Sequence, residues 1–396
     1  MRPILLLAAL TALAAFAVTV ADAFAEPRIS RGRVAEEAGV RVAPLVEGLT
    51  YPWSMTWLPD GTLVVTEREG RVRLVRDGVL DPAPIIFPVP VTSGGDGGIT
   101  RGQGGLMDVA VSPNFARDRT LYFTYAEGDP TANRTVVARA RLEGATLTGL
   151  TPIYRNPDMK ARGQHFGSRL LFTPDGSLLV SIGDGGNPPV QFGDGNIRLQ
   201  AQSLSTVFGK VLRLRPDGRA QAGNPFLGMS NARGEIWTFG HRNIQGLARD
   251  SVSGMIWASE HGAAGGDELN QLDAGGNYGW PAVTFAREYA DGALISDKTR
   301  APDMRDPVLV WLDTHAPSGL AIYHGERLPS LKGAILSGGL VTQDIRVVRP
   351  QEGQRARETR IPVGERVRDV KQGPDGFVYV LTDGERGRVL RLEQAR

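Results

Sequence analysis

Short apolar runs recur along the chain, each set behind a tight polar turn. Pro59-Asp60-Gly61 precedes TLVVTE, Pro174-Asp175-Gly176 precedes SLLVSIGDGG, and Pro374-Asp375-Gly376 precedes FVYVLTDG. Looser forms stand between them: Ser112-Pro113-Asn114 before TLYFTYAE, Asp250-Ser251 before GMIWASEHG, and Leu328-Pro329 before KGAILSGG. Proline presets the turn and glycine accepts the positive φ, so each unit predicts a hairpin by a physical mechanism. Six units at spacings of about 45 to 80 residues, with no long helical period between them, predict an all-β, six-bladed β-propeller of four-stranded antiparallel blades. A pair of packed β-sandwiches is the alternative arrangement.

The two ends of the chain suggest how the ring closes. TLVVTEREGRVRLV near the start and FVYVLTDGERGRVLRL at the finish share a strand, an acidic turn and an Arg-Val-x-Leu strand. A propeller must hide its last edge, and pairing an N-terminal strand into the final blade does so. Arg41 to Leu45 is the predicted closing strand, within one propeller domain over residues 41–396 preceded by an extension at 26–40.

Residues 1–25 read as an export signal. Met1-Arg2 is a short positive region, Ile4 to Val20 is apolar, and Ala23-Phe24-Ala25 is a cleavage signal of the A-x-A type. The apolar run is short for a span of about 20 residues and polar chain follows at once. The mature chain is expected to be periplasmic or secreted, soluble and without a membrane span. A composition of 41% hydrophobic and 22% charged residues supports a folded core, and 50 glycines with 26 prolines favour many turns. The absence of cysteine excludes disulfides, thiolate metal sites and cysteine nucleophiles. A net charge of +2 without a basic block argues against a nucleic-acid partner.

Candidate chemistry concentrates in residues 235–289. The strand at Ile236, Trp237 and Phe239 empties into Gly240-His241-Arg242-Asn243, and the strand at 255–259 empties into Glu260-His261-Gly262. Other loops, expected to follow the inner strands and to share one mouth of the channel, add Gln103, His165, Asp184, Tyr289 and the pair Arg366 and Arg368. Two guanidiniums on one strand face suit a polycarboxylate. Asp267 and Glu268, in a glycine loop, suit a hard cation.

These residues, with GQGGLMDVAVSPNF, HFGSRLLFTPDG, FGKVLRLRPDG, EIWTFGHRNIQGL, EHGAAGGDELN, NYGWP and RVRDVKQGPDGFVYVLTD, resemble the soluble aldose sugar dehydrogenases. Those proteins are the pyrroloquinoline quinone (PQQ) dependent relatives of soluble glucose dehydrogenase, in the glucose/sorbosone dehydrogenase family. The resemblance runs from about Val46 to Leu392 and implies a six-bladed propeller that oxidises aldoses at C1. It implies His165 as general base, Asp184 as the acid that orients it, and Arg242 as the cation at the quinone oxygen, with Asn243 beside it. It implies cofactor contacts at Gln103, His261, Tyr289, Arg366 and Arg368. Calcium is implied at the carbonyls of Gly262 and Ala263, and a second calcium at Glu268 and the Tyr278 carbonyl. The natural electron acceptor, a quinone or small redox protein, and the choice between monomer and homodimer are left open by the resemblance.

The chain also departs from that pattern. Where relatives carry a lysine toward a PQQ carboxylate, this chain reads Gly339-Leu340-Val341-Thr342-Gln343. Ala263 stands where proline is common, and Gln164 replaces the acid or asparagine before the base. A calcium-dependent lactonase and a non-catalytic carbohydrate-binding propeller are the two other readings of the same residues.

Overall fold

A computed structural model describes residues 27–95, 102–351 and 354–395. The proposed export signal at 1–25 lies outside the described residues. Six antiparallel sheets follow one another along the chain. Their inner strands are Pro52–Trp57, Leu106–Val111, Leu170–Phe172, Ile244–Arg249, Pro317–Ile322 and Val367–Gln372, opening blades 1 to 6 in that order. The six sequence repeats are the second strands: Leu63–Glu67, Thr120–Gly128, Leu178–Ile182, Ile256–Glu260, Ile335–Gly339 and Val378–Thr382. The chain is a six-bladed β-propeller.

Ring closure matches the expectation. Val40–Leu49 pairs antiparallel with Gly387–Gln394 as the outermost strand of blade 6, with Arg41 opposite Glu393 and Val42 opposite Leu392. The extension docks against the ring as well. Arg28–Ser30 adds a parallel strand outside Leu309–Trp311 of blade 4, and Glu37 pairs with Arg349 of blade 5 at 2.9 Å.

Blades pack face to face, so both faces of a second strand are covered. Leu63–Glu67, Leu178–Ile182 and Val378–Thr382 are buried along their whole length. This is why those repeats read as continuous apolar runs instead of alternating ones. The hydrophobic core is divided between the blades. Val64 and Leu74 of blade 1 meet Leu121 and Phe123 of blade 2, while Met55 and Val65 meet Leu381 and Val389 across the blade 6 to blade 1 seam.

A hydroxyl recurs in each second strand, and in four blades it bonds to a backbone carbonyl of the next. Thr66 Oγ1 donates to the Met107 carbonyl at 2.5 Å, Thr124 Oγ1 to Ser168 at 2.8 Å, Ser181 Oγ to Ile244 at 3.3 Å and Ser259 Oγ to Ser318 at 3.4 Å. An ionic cluster adds to this near the axis. Arg169 lies 3.1 Å from Asp369 and 3.7 Å from Asp108, and its guanidinium covers the Trp53 ring at 4.3 Å. The two carboxylates also accept backbone N–H groups of neighbouring blades, Leu170 at 2.7 Å and Met55 at 3.2 Å. Buried charges are tolerated here because each has a counter-charge and further hydrogen bonds.

One expectation needs correction. The loops that gather at the mouth do not follow the inner strands. They enter the inner strands or leave the second ones, because the Pro-Asp-Gly turns join first to second strand and so lie at the opposite end of each antiparallel hairpin.

Candidate active site

The mouth encloses a polar cavity of about 270 Å³ to which every blade contributes. Trp53 and Arg68 come from blade 1, Gln103 from the approach to blade 2, and Phe166 from the approach to blade 3. Asn243, Gln245 and His261 come from blade 4, Leu340 and Val341 from blade 5, and Arg366, Arg368 and Asp383 from blade 6. Five of the expected cofactor contacts, Gln103, Asn243, His261, Arg366 and Arg368, therefore share one wall.

His165, Asp184 and Arg242 form a buried cluster beside this cavity. His165 has a positive φ of 49°, an uncommon conformation for a residue with a side chain. Its loop lies directly against Gly183, where a Cβ would come within 2.1 Å of the His165 carbonyl oxygen. The His165 N–H donates to Gln103 Oε1 at 2.8 Å, and Asn243 Oδ1 accepts from the Gly167 N–H at 3.1 Å. Cavity wall and buried cluster are thus one hydrogen-bonded unit.

The imidazole is held by its Nδ1. That nitrogen lies 2.6 Å from Asp184 Oδ1, whose second oxygen accepts the Trp280 indole N–H at 2.8 Å. An ionised Asp184 requires the proton on Nδ1, which leaves the Nε2 lone pair free to accept one. Burial lowers the His165 pKa to about 4, Arg242 adds to the shift, and Asp184 opposes it. Burial alone would raise Asp184, but His165 and Arg242 outweigh it and hold the carboxyl below its usual range. The ring is therefore neutral at neutral pH.

Arg242 is fixed from several sides. Its N–H donates to Glu260 at 2.7 Å, its Nη1 to the His261 carbonyl at 3.2 Å, and its guanidinium stands 5.3 Å over the Trp280 ring. Its Nη2 is buried without a partner, as is Nε of Arg368. Unpaired buried donors of this kind are costly unless a ligand receives them. His261 donates from Nε2 to the Pro317 carbonyl at 2.8 Å, and burial together with Arg242 lowers its pKa to about 3.

The implied cation ligands lie behind Arg242 on blade 4. The 262–266 loop is tightly wound: a Cβ at Gly262 would come within 2.2 Å of the Gly265 carbonyl oxygen. Asp267 pins this loop by accepting the N–H groups of Gly262, His315 and Ala316 at 2.7, 2.8 and 2.7 Å, and burial raises its pKa to about 6. Glu268 faces Glu260 across the strand pair. Burial and that neighbour push its carboxyl well above the usual range. Asn270 Nδ2 bridges Glu260 and Glu268 at 3.0 and 3.2 Å, while its Oδ1 is buried with no partner. Tyr278 stacks at 4.7 Å on His241, which in turn lies 2.9 Å from Glu260. An orphaned amide oxygen beside two crowded carboxyls is a donor set that suits a hard cation. Among the described residues no three His, Asp or Glu side chains form a ready metal group, so backbone carbonyls would have to complete it.

Tyr289 stands apart from the cavity wall, 57% exposed. Its neighbour Glu288 pairs with Arg198 at 2.5 Å, and Arg198 lies 5.6 Å from the Trp280 ring, so the 288–289 loop is tied to the site from outside. Trp280, Arg68 and Asp383 are among the contributors not singled out from the sequence, as are Trp53 and Gln245. Trp280 lies in the NYGWP segment. Asp383 comes directly after the second strand of blade 6, and Glu67 and Glu260 end those of blades 1 and 4, a repeat of acids at strand ends visible in TLVVTE, WASE and VLTD.

Comparison with known proteins bears on the family and the fold. The Glucose / Sorbosone dehydrogenase family model matches residues 49–391. An uncharacterized protein of Synechocystis is 50% identical over 91% of this chain and 88% of its own length. The aldose sugar dehydrogenase YliI of Escherichia coli is 34% identical over 90% of this chain and 94% of its own. The PQQ-bound structure of the aldose sugar dehydrogenase from Streptomyces coelicolor is 27% identical, covers 91% of this chain and 99% of that one, and superposes with a TM-score of 0.70. A match over most of the chain, on a six-bladed propeller with a histidine–aspartate pair beside an arginine-lined mouth, places this protein in the glucose/sorbosone dehydrogenase family of oxidoreductases.

Proposed function

We propose that this protein oxidises aldose sugars at C1 to the lactone, using PQQ and calcium, in the periplasm or outside the cell. The observation that carries the reading is His165: a buried, neutral imidazole whose Nδ1 is engaged by Asp184 at 2.6 Å, leaving Nε2 as the base. PQQ, when bound, supplies the quinone that accepts the hydride from C1. His165 Nε2 takes the proton of the anomeric hydroxyl, and Asp184 compensates the charge that the ring gains. Arg242 holds a desolvated positive charge beside the base, where developing negative charge is best stabilised. Arg366 and Arg368 bind carboxylates at the mouth. Gln103 and Asn243 position the His165 loop and contact the cofactor, and His261 and Tyr289 complete its surroundings.

The residues present fit both groups. The buried, unpartnered nitrogens of Arg242 and Arg368 suit a polyanion, and the unpartnered Asn270 oxygen suits a cation. The carbonyls of Gly262 and Ala263 would hold the calcium that polarises the quinone, and Glu268 with the Tyr278 carbonyl a second. The natural electron acceptor would be a quinone or small redox protein, and the protein would act as monomer or homodimer. Among the described residues no helix is long and apolar enough to cross a membrane.

Reconstitution tests this reading. Purified apo-protein would be supplied with PQQ and calcium, and dye reduction followed on glucose, other aldoses and maltose. Sugar-dependent reduction that requires both additions is expected. Hydrolysis of a sugar lactone with calcium alone, and no dye reduction, would overturn it.

A further inference from the structure

The cavity wall holds three guanidiniums, Arg68, Arg366 and Arg368, around a single carboxylate, Asp383. Asp383 is shared between Arg366 at 3.3 Å and Arg368 at 2.9 Å. Arg68 has no carboxylate of its own among the described residues. Its Nε donates to the Gly104 carbonyl at 3.0 Å and its Nη2 to that of Gly102. The adjacent Glu67 is already occupied by Arg71 at 2.6 Å, Arg73 at 3.3 Å and the Thr50 N–H at 2.7 Å. Arg68 is buried, only 7% exposed. Burial and repulsion from Arg368 pull its pKa down to about 10, against the attraction of the shared Asp383, so it is still charged at neutral pH. Three guanidiniums that share one carboxylate leave the wall with uncompensated positive charge, which is costly when buried and favourable once a polyanion enters. On the blade 5 side, where the resembling proteins have a lysine, the wall presents Val341, 54% exposed and apolar.

We propose that Arg68 is a third carboxylate-binding residue of the cavity, supplying from blade 1 the positive charge that blade 5 lacks in this chain. The ligand class is a planar polycarboxylate held from both sides of the mouth, and the inference rests on the cofactor reading above. Arg68 is also the link between blade 1 and the glycine loop carrying Gln103, so ligand charge and the loop that contacts the His165 backbone are connected through one guanidinium.

The test is a binding measurement that needs no turnover. Mature apo-protein with calcium would be titrated with PQQ, following the quenching of tryptophan fluorescence. The loss of a charge-assisted hydrogen bond, about 1.5–3 kcal/mol, corresponds to a weakening of roughly 10- to 150-fold for Arg68→Gln. Adding Val341→Lys to that variant restores the charge from blade 5 and is expected to recover most of the affinity. Arg68→Gln binding as tightly as wild type overturns the proposal, and so does a loss that Val341→Lys does not regain, since that marks a structural role through the 102–104 loop. If wild type itself does not bind PQQ, the cofactor reading fails and the proposal falls with it.

Discussion

His165 Nδ1 lies 2.6 Å from Asp184 Oδ1, and this one contact determines which ring nitrogen is available as a base. The pair is buried, and the Trp280 indole N–H donates to the far carboxylate oxygen of Asp184 at 2.8 Å. Removing the base should therefore uncouple binding from chemistry. His165→Ala is expected to bind PQQ while turnover falls roughly 10²- to 10⁴-fold. Steady-state kinetics alongside a PQQ titration checks this, and full activity in the variant would discard His165 as the base.

Asp184→Asn keeps the shape of the acid but not its charge. The amide no longer requires a proton on Nδ1, so the tautomer with a free Nε2 loses its advantage. A fall in kcat on the order of 10² or more is expected, with KM little changed. Trp280→Phe, which removes only the indole donor to Asp184, should give a smaller loss. Equal effects from the two variants would indicate a packing defect instead.

The pH dependence follows from the lowered imidazole pKa. With His165 at about 4 against an unfolded value of 6.5, the acid limb of kcat/KM should lie near pH 4. Between those values the unfolded chain binds more protons than the folded one, so stability falls as pH drops from 6.5 through 4. His261, lowered to about 3, adds in the same sense. Thermal melts of wild type and His165→Asn across pH 4–7 should show a shallower slope for the variant; identical slopes would place His165 in a more solvated setting.

Burial and Glu260 hold the Glu268 carboxyl well above its usual range, and a cation bound beside it would favour its ionised form. Calcium is expected to raise the melting temperature of wild type, and a chelator to reverse the gain. Glu268→Gln should lose most of that calcium-dependent shift. A full shift in the variant would move the cation elsewhere.

The seam where the ring closes offers a test of the fold. Leu49, 1% exposed, ends the closing strand and packs into the core shared by blades 6 and 1. Leu49→Ala should cost about 2–5 kcal/mol through lost burial and an unfilled cavity. Chemical denaturation measures it, and a cost below about 1 kcal/mol would mean that the seam contributes little.

The repeat of turn and buried strand determined the architecture, because a Pro-Asp-Gly turn and a strand covered on both faces leave local traces in composition and order. The closing strand was legible for the same reason: the first and last repeats share a pattern, and an unpaired edge has to be covered. His165, Asp184, Arg242 and the mouth arginines were legible as residue types in motif context, but not as a constellation. Only the tertiary structure decided that Asp184 reaches His165, that Trp280 backs it from 96 residues away, that Tyr289 stands outside the cavity wall, and that Arg68 faces Arg368 from the other end of the chain. It also decided which ends of the hairpins form the mouth. The physical reason is the ring: it brings residues from every blade to one axis, and the fields and hydrogen bonds among them depend on distances that separation along the chain does not encode.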